Sequence, residues 1–134
     1  MPSSRCRSTK NRSCTCLRVV GGDRALSPAA ARLFAAPENE VYLSAASAWE
    51  IAIKHQLGRL TMNEPPDRFV PAQREAHAIE PLPLDEESVL HLSRLPPLHR
   101  DPFDRILVCQ AIVHGLTILT PDPLVAQYPA RTVW

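Results

Sequence analysis

The stretch Asp101–Pro123, DPFDRILVCQAIVHGLTILTPDP, decides the fold. Asp101 before Pro102 is a helix start: a side-chain oxygen for the exposed first-turn amides, then a residue whose fixed φ already suits a helix. Phe103 to His114 is the longest apolar helical stretch, and Gly115 closes it. Leu116 to Leu119 follows as a short apolar strand. Such a run fits a strand buried on both faces, as in a parallel sheet covered by helices. Thr120-Pro121-Asp122-Pro123 is a loop at that strand's C-terminal edge. Leu124 to Tyr128 adds a helical turn, and residues 132–134 read as a last edge strand.

Working toward the N-terminus, the same alternation recurs. Ser27-Pro28 starts a helix over AAARLFAA that stops before Pro37. Val41 to Ser44 is a short buried strand. Ser44 or Ser47 caps the next helix, and Glu50 stands at capping-box spacing from Ser47. Ala48, Trp49, Ala52, Ile53 and Leu57 carry its helical period, and Gly58 ends it. Pro65-Pro66-Asp67 open a short helix around residues 68–76, with Pro71 tolerated only in its first turn. Residues 78–80 read as a strand closed by Pro81 and Pro83, and Asp85-Glu86-Glu87 starts a helix through about Leu92. Strand and helix alternating through short links predict an α/β fold with a mostly parallel central sheet covered on both faces.

The chain of 134 residues is long enough for one domain, with 45% hydrophobic residues and a formal net charge of +1. No charge excess singles out nucleic acid or membrane as partner, and no apolar run approaches the 18 residues of a membrane span. The charge is unevenly placed. Residues 1–22 carry five basic groups and no acid, whereas the remainder has ten basic and fourteen acidic residues. Cys6, Cys14 and Cys16 also fall in this head, and only Cys109 lies elsewhere. The spacing completes no zinc pattern, and a body with one cysteine cannot be stapled internally. This usage predicts a reducing, cytoplasmic compartment. Residues 1–20 read as a disordered or aberrant basic tail, with an RNA-contacting arm as the alternative, and residues 21–134 as the folded domain.

Three acids stand out. Glu50 lies between Trp49 and Ile51 in an apolar helix, Asp104 in the first turn of the long helix, and Asp122 just past a buried strand. In open α/β sheets, sites form at such C-terminal strand edges. Clustered carboxylates there repel one another unless a cation is present, and an all-oxygen set suits Mg²⁺ or Mn²⁺ and phosphodiester hydrolysis. Each also has a plainer reading. Glu50 could face water, Asp104 could pair with Arg105 or Arg100, Asp101 could be only a cap, and Asp122 and Thr120 could serve only the loop. His99 reads as a surface loop residue, and Trp49 and Trp134 as packing residues rather than base-stacking platforms.

VYLSAASAWEIAIKHQLGRL (Val41–Leu60) and LPPLHRDPFDRILVCQAIVHGLTILTPDPLV (Leu95–Val125) closely resemble the acid-bearing regions of PIN-domain ribonucleases of the VapC toxin type. The resemblance runs from about Asp23 to Trp134. It implies a three-layer α/β/α sandwich and Mg²⁺- or Mn²⁺-dependent cleavage of RNA. By that resemblance Glu50, Asp104 and Asp122 are the metal-binding and catalytic acids, Asp101 is an additional acid, and Thr120 supports the loop. Lys54, Arg100 and Arg105 are candidates for holding RNA phosphates or pairing with the acids. The resemblance also implies a homodimer and a VapB-like antitoxin as partner, in the cytoplasm and away from membranes.

The family pattern places a strand reading L-L-L-D-T-H before the segment that begins at Gly22-Asp23. Counting back puts its acid near Arg12, where this chain reads NRSCTCLRVV. The first strand is therefore expected to be lost, with residues 1–18 forming no central strand. Such a junction is what a shifted reading frame or a misassigned start produces. Two functions follow: a toxin ribonuclease by descent with impaired activity, or an inactive relic, either still binding its antitoxin or too degraded to fold.

Overall fold

The computed structural model describes residues 14–17 and 27–134. Cys14–Leu17 is strand β1. Pro28–Ala35 is helix α1, with Ser27 Oγ accepting from the Ala30 amide at 3.1 Å. Glu40–Ser44 is β2 and Ala45–Gln56 is α2. Pro66–His77 is α3, Ile79–Leu82 is β3, and Glu86–Leu90 is α4, continued by a 3-10 turn over His91–Arg94. Pro102–His114 is α5, Thr117–Leu119 is β4, Pro123–Ala126 is α6 and Arg131–Val133 is β5.

The five strands form one sheet in the order β3-β2-β1-β4-β5, parallel at each pairing. Side chains alternate across it. Val41, Leu43 and Leu119 pack on one face with Ala30 of α1, Ile51 of α2 and Val70 of α3. Tyr42 and Ile118 pack on the other with Leu107, Val108 and Ala111 of α5 and Val125 of α6. Helices on both faces of a parallel sheet make the expected α/β layering. Among the described residues, no helix is long and apolar enough to cross a membrane.

One expectation is overturned. The first strand is not lost: Cys14–Leu17 is the middle strand, with Thr15 opposite Val41 on one side and Thr117 on the other. CTCL lacks the run of Leu, Ile or Val that a central strand usually shows. Yet cysteine ranks among the most buried residue types and packs as a small hydrophobe. Threonine is β-branched and favours strands. The position counted for the missing acid, Arg12, lies outside the described residues, as do the rest of the basic head and Asp23. The strand itself carries no acid.

Smaller differences have local causes. Helix α3 begins at Pro66 rather than Arg68, so Pro71 falls in its second turn. Pro71 is exposed there, and its missing donor costs one ladder bond on the wet side. Ala78 is not in the strand: at φ 53° it is the left-handed cap of α3. Of the two serines open as caps for α2, Ser44, directly before the apolar run, is the one used, accepting from the Ala46 amide at 3.1 Å. Gly58, at φ 72°, closes α2 with Arg59 N–H on the Lys54 carbonyl at 2.9 Å and its own N–H on that of His55 at 3.1 Å. That pattern of paired return bonds requires a left-handed residue and explains the glycine.

Candidate metal centre

All candidate acids lie toward one edge of the sheet, and topology explains why. Helix α2 leaves the C-terminal end of β2, so Glu50 belongs to its first half. Helix α5 returns through Gly115 into the N-terminal end of β4, which places the start of α5, with Asp101 and Asp104, toward the strands' C-terminal ends. Asp122 follows β4 directly at that edge. Register aligns these ends, since Leu17 is opposite both Leu43 and Leu119, the residues before Ser44 and Thr120.

The start of α5 is the most closely built part. Asp101 is its N-cap, with Oδ1 accepting from the amides of Phe103 at 2.9 Å and Asp104 at 3.4 Å. Asp104, 1% exposed, points inward and meets His99 Nε2 at 2.7 Å through Oδ2. His99, Asp101 and Asp104 bring one ligand atom each within 4.8 Å of one another. This cluster can coordinate a divalent metal. Glu50 and Asp122 stand outside that mutual set.

Glu50 is 3% exposed, contrary to a wet-side reading. Its Oε2 lies 3.3 Å from Lys54 Nζ, one turn further along α2. Its Oε1 is buried with no hydrogen-bond donor among the described residues, and so is Ser47 Oγ, three positions earlier on the same helix face. A buried carboxylate oxygen without a donor is costly, and a cation or water is what satisfies it. This orphaned acceptor is one that a cation could satisfy. Trp49 and Phe103 meet edge to face, with ring centroids 5.1 Å apart, and join α2 to α5 beside these acids.

Asp122 caps α6, its Oδ1 accepting from the Leu124 amide at 2.9 Å. Thr120, 4% exposed, accepts from the Asp122 amide at 3.1 Å and donates its own amide to the Val133 carbonyl at 3.0 Å. The loop is thus tied to both β4 and β5. Arg105 Nη1 donates to the carbonyls of Pro96 at 3.1 Å and His99 at 3.4 Å, and to Tyr128 Oη at 3.3 Å. Those bonds hold the loop that carries His99. Arg100 is exposed. Cys109 is fully buried in α5, and burial pushes its thiol up against the pull of Arg105, which leaves it unsuited to nucleophilic attack.

His99 is the residue sequence reasoning passed over. The available signal was its place five residues before Asp104, with the Asp101-Pro102 cap turning the chain between them. Trp49 also differs from expectation: it is 58% exposed and not a core residue, whereas Trp134 packs against the core on the face that α1, α2 and α3 cover.

A parallel sheet of this layering with acids gathered at the strands' C-terminal edge defines a class, and the PIN domain family model matches residues 13–130. The chain belongs to the PIN-domain family. It is similar to Ribonuclease VapC16 of Mycobacterium tuberculosis, with 43% identity over 53 residues, 40% of this chain. The match covers 38% of that protein's length.

Proposed function

We propose that this chain is a metal-dependent endoribonuclease of the toxin–antitoxin type, with Glu50, Asp101, Asp104 and Asp122 as its acids and His99 as a positioning residue for Asp104. The observation that carries this reading is the pair of buried carboxylates, Glu50 and Asp104, on facing helices at one sheet edge. Burying two carboxyl groups calls for a compensating partner, and the donor set is mostly hard oxygen, which favours Mg²⁺ or Mn²⁺. Glu50, Asp104 and Asp122 would hold that ion, which when bound supplies an acidified water and charge stabilisation at a phosphate. The protein's share of the work is placement. Asp101 fixes the start of α5, His99 holds Asp104 Oδ2, Lys54 balances Glu50, and Thr120 orders the loop of Asp122. Arg100, exposed beside the cluster, is suited to an RNA phosphate.

The absence of any acid before Asp23 supports a second reading, in which the chain keeps the fold and binds a VapB-like antitoxin without cleaving RNA. Purified chain incubated with total RNA and Mg²⁺ decides between them. Glu50→Gln, Asp104→Asn and a version whose first strand ends L-L-L-D run in parallel. The ribonuclease reading expects metal-dependent cleavage that both single variants abolish and the restored strand increases. Cleavage by the restored version alone supports the inactive reading. Cleavage unaffected by either single variant sinks the assigned site.

A further inference from the structure

We propose that Trp49 is a stacking platform for an unpaired base of the RNA strand, with Phe103 as its brace. The inference rests on the ribonuclease reading and names a residue that would seat its RNA strand.

An indole 58% exposed on an ordered helix, with its neighbours Glu50 and Ile51 both buried, leaves a large apolar face in water. It is not loose. Phe103 meets it at 83° between ring planes, so its orientation is set by an aromatic contact rather than by the core. Each ring directly precedes one of the two buried acids, Trp49 before Glu50 and Phe103 before Asp104. The Trp49–Phe103 contact therefore spans α2 and α5, the two helices that carry the buried carboxylates.

Electrostatics makes such a platform useful. Glu50, Asp101, Asp104 and Asp122 place four carboxylates along this edge, which repel a phosphate backbone. Arg105 is engaged with the loop carbonyls and Lys54 is paired with Glu50, which leaves the exposed Arg100 against four acids. Stacking brings the strand in without charge, and it works for any base because each has a π face. Paired bases in an A-form helix offer no such face, so the platform selects unpaired strands.

The chain holds two tryptophans, so Trp134→Phe leaves Trp49 as the lone indole reporter. A ten-nucleotide single-stranded RNA titrated into this variant in EDTA is expected to quench its emission. The corresponding duplex and a strand with abasic sites are expected to leave it unchanged. Trp49→Ala is expected to weaken binding of the single strand by about 5- to 100-fold and Trp49→Phe by much less. With Mg²⁺, cleavage by Trp49→Ala should show a raised KM with kcat little changed. Cleavage by the parent without quenching, or with unchanged KM in Trp49→Ala, overturns the platform and leaves the ribonuclease reading standing. Quenching without cleavage keeps the platform and removes the nuclease. A dimer that becomes monomeric in Trp49→Ala with unaltered RNA affinity assigns the ring to a contact between two copies and overturns the proposal.

Discussion

Glu50 places a buried carboxyl group where the fold alone gives it little support. Its partner Lys54 is an i,i+4 neighbour with a well-solvated head, a pairing of a few tenths of a kcal/mol, while Oε1 is buried without a donor among the described residues. Function and stability should therefore oppose each other here. Glu50→Gln is expected to raise the melting temperature in EDTA by about 3–5 °C, corresponding to roughly 1 kcal/mol, and to lose the extra stability that Mg²⁺ confers on the parent. Calorimetry with and without the metal checks both. At Arg105 the requirement is shape rather than charge. Three acceptors gather on its Nη1 at the end of a long side chain, a reach that the ammonium of lysine does not match. On the proposed ribonuclease function, Arg105→Lys is expected to lower RNA cleavage about 10-fold by loosening the His99 loop, with the fold kept as judged by circular dichroism. His99 and Trp49 were illegible in the sequence for different reasons. A loop residue's partner depends on how the chain turns back, and the exposure of an aromatic beside Ile51 depends on the angle at which α5 crosses α2.

The individual elements were more readable, because their ends are written in local chemistry. Asp85, Asp101 and Asp122 were each placed at a helix start or loop, and each accepts from a first-turn amide. At α4 the cap reaches further. Burial pulls the Asp85 carboxyl upward, but hydrogen bonds from His114 and Ser88 outweigh it and hold the group below its ordinary range. A carboxyl depressed in the folded state stabilises at pH above its unfolded value and loses that contribution as pH falls through the folded one. Stability should thus decline on acidification below about pH 4. Asp85→Asn is expected to flatten this acid limb and to cost about 1 kcal/mol at neutral pH, measured by urea unfolding across pH. Helix α3 ends less economically, since Ala78 holds a left-handed conformation that disfavours a Cβ. Ala78→Gly should stabilise the protein by about 1 kcal/mol, visible as a higher urea midpoint with an unchanged slope.

The architecture followed from the alternation of strand and helix signals, yet its central member escaped notice. Two cysteines, a threonine and a single leucine carry almost no periodic signal alone, and their place is set by neighbours on both sides, β2 and β4. Edge and centre differ accordingly. The edge strand β3 contains Pro81 without harm, because its outer side needs no partner. Thr15→Pro is expected to remove donors from the middle of the sheet and abolish cooperative unfolding, with loss of the circular dichroism signal at 25 °C. A variant that still melts cooperatively would contradict the central placement of β1.

That placement also has consequences in time. Strand β1 is made early and its second neighbour, β4, roughly a hundred residues later, since Thr15 pairs with Thr117. At a translation speed of about 5–20 residues per second, one flank of the nascent β1 has no partner for roughly 5–20 s. Loop closure over so long a separation is also slow in refolding. A growing chain of this protein therefore presents an open ribbon edge to its surroundings until almost its last strand emerges. The interval in which it is most vulnerable to association with other chains is set by the ribosome rather than by the finished molecule.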